Sequence, residues 1–222
     1  MRSPYNLIAA VLLMLFGTAA IAADNKITPM IESVEVTDDG ETVTITRGHD
    51  RNATLPEIFQ KTDRGCPPFC VQPMHPIPGV NTVGELEVLD YLHRIHQGDK
   101  SIMVVDSRTP DWVMRGTIPG SVNIPWNKIN TDTAGTFETP AEADTFVHIL
   151  ADEFGANQDP QTGEWSFEEA KTLVLFCNGI WCPQSTANLK TLVEYGYPVH
   201  KLKWYRGGMQ DWVSVGLTTV KP

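Results

Sequence analysis

Four cysteines are the residues of this sequence best suited to covalent chemistry, and they fall into two close pairs. Three residues separate Cys66 from Cys70, and four separate Cys177 from Cys182. A thiolate attacks electrophilic sulfur, and two nearby thiols can also close a disulfide. The spacing therefore indicates sulfur or thiol–disulfide chemistry, and the neighbouring elements must decide which pair is reactive.

Cys177 stands between a predicted strand and a predicted helix. The apolar run 173–176 predicts a strand buried on both faces of a parallel sheet, and apolar residues recur at helical spacing over 187–193. The order of strand, tight loop and helix places the thiol where helix N–H groups and the helix dipole stabilise negative charge. We therefore expect Cys177 to be the reactive centre, as an ionised thiol that solvent can reach.

Cys182 has two interpretations that the sequence leaves open. It lies at or near the start of the helix and could resolve a persulfide or sulfenate on Cys177 by forming a disulfide. That bond requires Cα atoms within about 7 Å of each other. Alternatively, Cys182 is a buried loop residue whose thiol is inert.

The first cysteine pair lies in a proline-rich segment. Five prolines over residues 64–79 exclude a helix or an internal strand and predict a linker on the surface. Cys66 and Cys70 are expected to form a local structural disulfide, and electron exchange with the second pair is an alternative. A metal site that includes His75 is disfavoured, because no second ligand cluster follows at zinc-like spacing.

Composition and charge exclude some classes of partner. The chain has 222 residues, of which 41% are hydrophobic and 20% charged, and this suits one globular domain with an extension. The net charge of -10 argues against binding to nucleic acid or to an anionic membrane surface, since both need a basic face.

The N-terminus has the pattern of an export signal. Arg2 precedes the apolar segment 7–16, and four alanines follow before Asp24. We expect residues 1–23 to be a signal peptide that is cleaved near Ala22 or Ala23, so that the protein is periplasmic or secreted. An uncleaved anchor helix is the alternative.

Two regions follow the signal in the predicted organisation. Residues 24–79 form an extension with a β-hairpin over 34–46, turned at Asp38, Asp39 and Gly40, and the proline- and cysteine-rich linker. Residues 80–222 alternate strands and helices, which predicts an α/β fold with a parallel sheet. The expected elements are helices at 82–95, 111–115, 141–154 and 211–215, strands at 101–106, 122–124 and 199–204, and a polar loop at 155–165 that is a lid or an insertion.

The stretch from about residue 80 to 220 resembles the rhodanese family. The matching segments are VVDSR at 104–108, RGTIPGSVNIP at 115–125, the strand-ending Cys177 with its loop, and YRGGMQDW at 205–212. The resemblance implies a central five-stranded parallel sheet flanked by helices. It also implies sulfur transfer through a persulfide on the cysteine, with no cofactor or metal.

The resemblance also implies roles for individual residues. Asp106 and Arg108 should form an ion pair or brace a loop, Gly207 and Gly208 should allow close approach to the active loop, and Trp212 should act as a hydrophobic plug. Trp181 is expected to cover the site. The active loop around the two cysteines would comprise Asn178, Gly179, Ile180, Trp181, Pro183, Gln184 and Ser185.

The chain departs from the family pattern in its active loop and at Thr117. Many thiosulfate-using rhodaneses carry Arg or Lys in the active loop, whereas residues 178–184 contain no cation, so thiosulfate is a doubtful substrate. Thr117 stands where the family usually has His, and we expect this change to alter packing only.

Three functions compete on this basis. The first is an exported sulfurtransferase that takes sulfur from a small sulfur-containing donor and passes it to a thiol or another nucleophile. The second is a thiol–disulfide oxidoreductase or redox sensor that uses Cys177 and Cys182. The third is a binding module without catalysis that docks a protein partner through residues 24–79, since a fold does not prove an activity.

Overall fold

The computed structural model describes residues 25–130 and 139–222 of the chain. The predicted signal peptide at residues 1–23 lies outside the described residues. Within those residues, no helix combines the length and the apolar composition that spanning a bilayer requires.

Nine strands and six α-helices make up the described chain. The strands are β1 (Val34–Asp38), β2 (Glu41–Ile45), β3 (Asn81–Val83), β4 (Ile102–Asp106), β5 (Val122–Asn123), β6 (Asn157–Gln158), β7 (Trp165–Ser166), β8 (Thr172–Phe176) and β9 (Leu202–Tyr205). The helices are α1 (Glu57–Gln60), α2 (Glu85–His96), α3 (Pro110–Val113), α4 (Pro140–His148), α5 (Gln184–Glu194) and α6 (Gly208–Ser214). Single helical turns at Trp126–Lys128, Ile149–Glu153 and Val199–Lys201 complete the set.

Five parallel strands form the central sheet in the order β3-β9-β8-β4-β5. β8 therefore lies in the middle, with β9 on one side and β4 on the other. Its side chains alternate between the two faces: Leu173 and Leu175 belong to one hydrophobic core, and Val174 and Phe176 belong to the other. This two-sided burial confirms the prediction of an α/β fold with a parallel sheet.

Helices cover both faces of the sheet. The first core takes Phe146 from α4 and Leu189 and Leu192 from α5. The second core takes Leu92 from α2 and Trp212 from α6, and it also includes side chains from the N-terminal hairpin.

The hairpin is the one predicted from the alternating residues near the N-terminus. β1 and β2 pair antiparallel, and Asp39 and Gly40 at the turn both have positive φ, at 47° and 83°. Positive φ at both central residues suits a two-residue turn that matches the twist of the strands.

Some of the expected elements were wrong in detail. The strand predicted over 199–204 begins only at Leu202, because Val199–Lys201 forms a helical turn, and the final helix begins at Gly208 instead of residue 211. The helix predicted from residue 82 begins only at Glu85, because Asn81–Val83 pairs with β9 as an edge strand. The polar loop at 155–165 contains β6 and reaches β7, so it is part of a small antiparallel hairpin. The spacing of apolar residues alone could not distinguish a three-residue edge strand from the first turn of a helix.

Candidate active site

Cys177 directly follows β8 and begins a loop that returns to the start of α5. Its sulfur is bonded to that of Cys182, with 6.2 Å between the two Cα atoms. Pro183 then directly precedes α5. The N–H groups of Met209 and Gln210 in α6 donate to the carbonyls of Cys177 and Asn178 at 3.0 and 2.9 Å. A second helix therefore holds the first two residues of the loop.

Cys182 is the bonded partner of Cys177, which favours its interpretation as a redox partner, and its chemical role stays a prediction. The disulfide also corrects the expectation of a reachable, ionised thiol. Cys177 and Cys182 are each only 2% exposed and pack with Ile180 and Trp181. The structure therefore holds the oxidised form of the pair in a closed site, and the chemistry of Cys177 depends on opening that bond.

Trp181 covers the cysteines, as the sequence predicted. Its side chain is 9% exposed, and its Nε1–H donates to Gln210 Oε1 at 3.0 Å. The amide nitrogen of Gln210 donates in turn to the Phe59 carbonyl at 3.1 Å. Gly179 leaves room for this arrangement, since a Cβ there would approach Gln210 and the Trp181 Nε1. The loop is therefore tied both to α6 and to the N-terminal extension.

The loop leaves four consecutive backbone donors available. Among the described residues, the N–H groups of Asn178, Gly179, Ile180 and Trp181 donate to no backbone carbonyl. Asn178 Oδ1 is also buried and has no partner in the described chain. Successive free amides in a loop next to a helix N-terminus can bind an anion, and a thiolate or a persulfide is such an anion.

Gln184 places a polar side chain against the disulfide. Its Oε1 lies 3.2 Å from Cys177 Sγ and 3.6 Å from Cys182 Sγ. A reduced thiol could donate to this oxygen, and a half-turn of the amide would instead present an N–H to a thiolate. Ser185, the next residue, is buried and accepts a hydrogen bond from Trp204 Nε1 at 3.1 Å. Gln184 therefore contacts the reacting atoms, while Ser185 positions α5 against the sheet.

The two glycines after β9 have different functions. Gly208 has a φ of 56°, and a Cβ at this position would overlap the carbonyl oxygen of Cys177. This close approach to the loop is the one predicted from the sequence. A Cβ at Gly207 would instead overlap the side chain of Asp211, and the predicted close approach of Gly207 to the loop stays a prediction.

Asp106 and Arg108 form a fully buried ion pair at the end of β4. Arg108 Nη2 and Nε donate to the carboxylate at 2.6 and 2.9 Å, and Nη2 also donates to the Gly116 carbonyl at 2.9 Å. Thr117 Oγ1 donates to the same carboxylate at 2.7 Å. The expectation that Thr117 alters packing only was therefore wrong, because its hydroxyl completes the polar network. The network braces the loop between α3 and β5.

The proline-rich linker lies across the active loop. We call residues 64–72 the strap. A disulfide between Cys66 and Cys70 closes its turn, with 4.6 Å between their Cα atoms. The N–H of Gln72 donates to the Ile180 carbonyl at 2.8 Å, and Arg206 Nη2 donates to the Gln72 carbonyl at 2.8 Å. The strap is thus hydrogen-bonded to the loop that contains the cysteines.

Two side chains of the strap cover the outer side of Trp181. The Phe69 ring meets the Trp181 ring edge to face, with 5.7 Å between centroids, and the Arg64 guanidinium lies 3.6 Å from the Trp181 ring centroid. Burial lowers the pKa of Arg64, and its buried Nε has no partner in the described residues. Sequence reasoning missed Arg64, Gln72 and Arg206, because their contacts join segments more than a hundred residues apart. Arg64 brings to the loop a positive charge that the loop itself lacks.

Acidic groups cluster where α6 begins. Burial raises the pKa of Asp211, repulsion from Glu85 raises it further, and Arg206 lowers it in part. Tyr205 donates to Glu85 at 2.9 Å, and burial with the nearby Glu85 charge raises the pKa of this phenol. Tyr205 therefore acts here as a neutral hydrogen-bond donor. In residues 25–130 and 139–222, no group of three or more His, Cys, Asp or Glu side chains could hold a metal ion.

Comparisons with known proteins give one family match. The sequence profile of the rhodanese-like domain matches residues 88–215. No curated protein matches the chain. Similar solved structures include a Bacillus halodurans protein at 18% identity, covering 64% of this chain and 77% of that one with a TM-score of 0.41. A human single-domain sulfurtransferase is 21% identical over 61% of this chain and 96% of its own, with a TM-score of 0.36.

A third structure is an Escherichia coli rhodanese with anions, which is 19% identical over 55% of this chain and 99% of its own, with a TM-score of 0.32. Structural similarities as weak as these do not establish the family of the chain. The profile match is different, since it spans more than half of the 222 residues and includes β4, β8 and the loop that begins at Cys177. The chain therefore belongs to the rhodanese-like domain family.

Proposed function

We propose that the protein is a sulfurtransferase that carries sulfane sulfur as a persulfide on Cys177. The observation that carries this proposal is the position of Cys177, at the carboxyl end of the central strand of a rhodanese-like domain. Four free loop amides follow it directly. Backbone donors in such a place stabilise the sulfur anion on which persulfide chemistry depends.

The transfer takes place in two nucleophilic steps from the reduced enzyme. The Cys177 thiolate attacks the sulfane sulfur of the donor, the donor's sulfur–sulfur bond breaks, and the remainder of the donor leaves with the bonding electron pair. An acceptor thiolate or other nucleophile then attacks the outer sulfur of the persulfide and regenerates the Cys177 thiolate. The loop amides and Gln184 hold the anion in both states. Both steps balance without a cofactor.

The disulfide sets a condition for this cycle. Cys177 is bonded to Cys182, so a thiol reductant must open the pair before the enzyme can accept sulfur from a sulfane donor. Activity should therefore require prior reduction and fall on reoxidation.

The test uses the full chain after reduction and removal of the reductant. Incubation with inorganic polysulfide should add sulfur to the Cys177 peptide, and cyanide added after the excess polysulfide has been removed should then yield thiocyanate. Cys177→Ser should abolish both results, whereas a variant with Cys66→Ser and Cys70→Ser should retain them. Thiocyanate formation at the wild-type rate by Cys177→Ser would refute the proposal.

A thiol–disulfide oxidoreductase or redox sensor is the second candidate, favoured by the Cys177–Cys182 bond itself. Equilibration in thiol redox buffers, followed by alkylation and peptide mapping, would give the reduction potential of this pair. Catalysed reduction or oxidation of a substrate protein, lost in Cys182→Ser, would support this function. If no Cys177–Cys182 bond formed in the redox buffers and Cys182→Ser kept the wild-type activity, the second candidate would be dropped.

We also propose that the protein is exported. The basic, apolar and small-residue order at the N-terminus supports a signal peptide, and two disulfides suit an oxidising compartment. Fractionation of the producing cells should recover a protein that begins just after Ala22 or Ala23. A protein with an intact N-terminus in the cytosolic fraction would contradict export.

A further inference from the structure

We propose that the oxidised form of this site accepts hydrosulfide. The Cys177–Cys182 disulfide then takes part in the reaction as the oxidant of sulfide. The inference rests on the proposed function, because it names a sulfur donor for the same site. It differs in one respect: the oxidised enzyme, with its Cys177–Cys182 bond closed, reacts with the sulfur donor. The enzyme then makes the persulfide by oxidising sulfide.

The step balances without any further reactant. Hydrosulfide attacks Cys177 Sγ, a new sulfur–sulfur bond forms, and the bond to Cys182 Sγ breaks. The bonding pair leaves on Cys182, which becomes a thiolate and can take the proton of the incoming hydrosulfide. The products are a persulfide on Cys177 and a reduced Cys182. The incoming sulfur has been oxidised to the sulfane state, and the disulfide is the oxidant.

The surroundings of the two sulfurs indicate which of them is attacked. Cys182 lies just before the first turn of α5, an eleven-residue helix, and the positive end of the helix dipole stabilises a departing thiolate there. A thiol–disulfide exchange is faster when the departing sulfur is the better-stabilised anion. The N–H groups of residues 178–181 follow Cys177 directly and donate to no backbone carbonyl in the described chain, so we expect them to bind the new persulfide anion. Both features favour attack at Cys177 and departure of Cys182.

The closed site favours a small donor. Both cysteines are nearly inaccessible beneath Trp181, and the strap lies over that side chain. Residues 178–184 contain no cation with which to hold a larger dianion such as thiosulfate. Hydrosulfide is a single sulfur atom with one charge. Arg64, with an unpartnered buried Nε beside the loop in the described part of the chain, adds a positive potential that favours an incoming anion.

The experiment compares the two redox states of the same protein. Oxidised full-length protein is treated without oxygen with equimolar sodium sulfide, quenched with an alkylating agent and mapped by mass spectrometry. We expect a mass gain of one H₂S, an alkylated persulfide on Cys177 and an alkylated thiol on Cys182. Reduced protein given the same sulfide solution should gain no sulfur, which also excludes contaminating polysulfide as the donor. Mapping separates the Cys177 and Cys182 peptides from the Cys66–Cys70 peptide, so sulfide that reacts with the strap disulfide is counted apart.

The outcomes separate this inference from the proposed function. Reduced protein is treated in parallel with inorganic polysulfide, which should add sulfur to Cys177 or release sulfide. If polysulfide reacts but hydrosulfide leaves the oxidised protein unchanged, the inference is wrong and the sulfurtransferase proposal stands. A persulfide found on Cys182 in place of Cys177 would also overturn the inference. If neither reagent transfers sulfur, both proposals fail.

Discussion

At the scale of single residues, the site depends on backbone contacts as much as on the cysteines. The carbonyl of Cys177 accepts from Met209, and Gly208 lies so close to the same carbonyl that no side chain fits. Only glycine combines that approach with a φ of 56° at no steric cost. The conformation of the active loop is therefore fixed by residues outside it.

Replacement of Gly208 by alanine should displace the loop. The variant acquires both backbone strain of about 1–3 kcal/mol and an overlap with the Cys177 carbonyl oxygen. Gly40→Ala is the matched control, since Gly40 also has positive φ but a methyl group added there would have nothing within 4 Å. Urea unfolding should show a larger loss in the free energy of unfolding for Gly208→Ala than for Gly40→Ala. The Cys177–Cys182 bond should also be reduced faster in Gly208→Ala. Equal losses would show that the contact does not matter.

The buried ion pair should be far more costly to break than an exposed one. Arg108→Met leaves the Asp106 carboxylate unpaired in the interior, and we expect a loss of about 3–5 kcal/mol in the free energy of unfolding. Arg94→Met removes the partner of Asp99 at the surface and should cost less than about 1 kcal/mol. Denaturant unfolding of the two variants measures the difference. Similar losses would contradict the importance given to this network.

Asp211 should make stability depend on pH. Burial and Glu85 raise its pKa in the folded protein, so the folded state binds more protons than the unfolded state between the ordinary and the raised pKa. The contribution of this group to stability therefore falls as pH rises through that interval. Asp211→Asn should stabilise the protein at neutral pH by less than about 1 kcal/mol, since the carboxyl is partly solvated.

Urea unfolding at neutral and at mildly acidic pH would measure the effect. The difference between Asp211→Asn and wild type should shrink as pH falls, because the wild-type carboxyl then becomes neutral. Asp144→Asn, an aspartate in α4 that is more exposed to solvent, serves as the control. A difference that stayed constant with pH would contradict the assignment.

At the scale of elements, the strap adds to the site a component from outside the region that matches the family profile. Its hydrogen bond from Gln72 to Ile180 and its contacts through Phe69 and Arg64 all fall on the loop between the two cysteines. We expect a segment held in this way to limit which molecules reach the disulfide. The prolines and the Cys66–Cys70 bond restrict the conformations of the strap and should keep it in place.

Loss of the Phe69 ring should open the site to larger thiols. An edge-to-face aromatic contact is worth about 0.5–1.5 kcal/mol, so Phe69→Ala should raise the rate at which glutathione reduces the Cys177–Cys182 bond by roughly 2- to 10-fold. Val71→Ala is the control, because Val71 is in the strap but is 72% exposed. Quenched alkylation and peptide mapping follow the pair separately from Cys66 and Cys70. An unchanged rate in Phe69→Ala would show that the strap does not limit access.

At the scale of the whole molecule, the N-terminal extension is continuous with the domain. Val36 and Ile45 of the hairpin are fully buried in the same core as Val88 and Leu92 of α2. Arg47 also donates to the Val215 carbonyl at 2.9 Å, which joins the end of the hairpin to the end of α6. The extension and the sheet should therefore unfold together.

A core substitution in the hairpin tests this continuity. Ile45→Ala should cost about 2–5 kcal/mol and should shift a single unfolding transition of the entire protein. Val43→Ala, on the same strand but only partly buried, should cost less. Near-UV and far-UV circular dichroism would follow the denaturant transition. Two separate transitions, with only the first shifted, would mean that the extension folds independently.

The sequence alone determined the fold class, the hairpin and the position of Cys177 at the end of a central strand. Local signals carry this information: unbroken apolar runs mark buried strands, an Asp-Gly turn closes a hairpin, and a loop between strand and helix fixes where the thiol lies. The family resemblance added Asp106, Arg108 and Gly208. These features hold because each depends on residues close together in the chain or on a motif that is itself contiguous.

Only the tertiary structure decided what covers the cysteine and in which state it is held. The pairing of Cys177 with Cys182 depends on how far the loop curls, which the spacing left open. The strap contacts Trp181 and Ile180, which lie more than a hundred residues away in the sequence. No local pattern could therefore predict the contacts of Arg64, Phe69 and Gln72 with the active loop. Residue order sets local conformation, whereas access to a buried sulfur atom is a property of surfaces that meet only after the chain has folded.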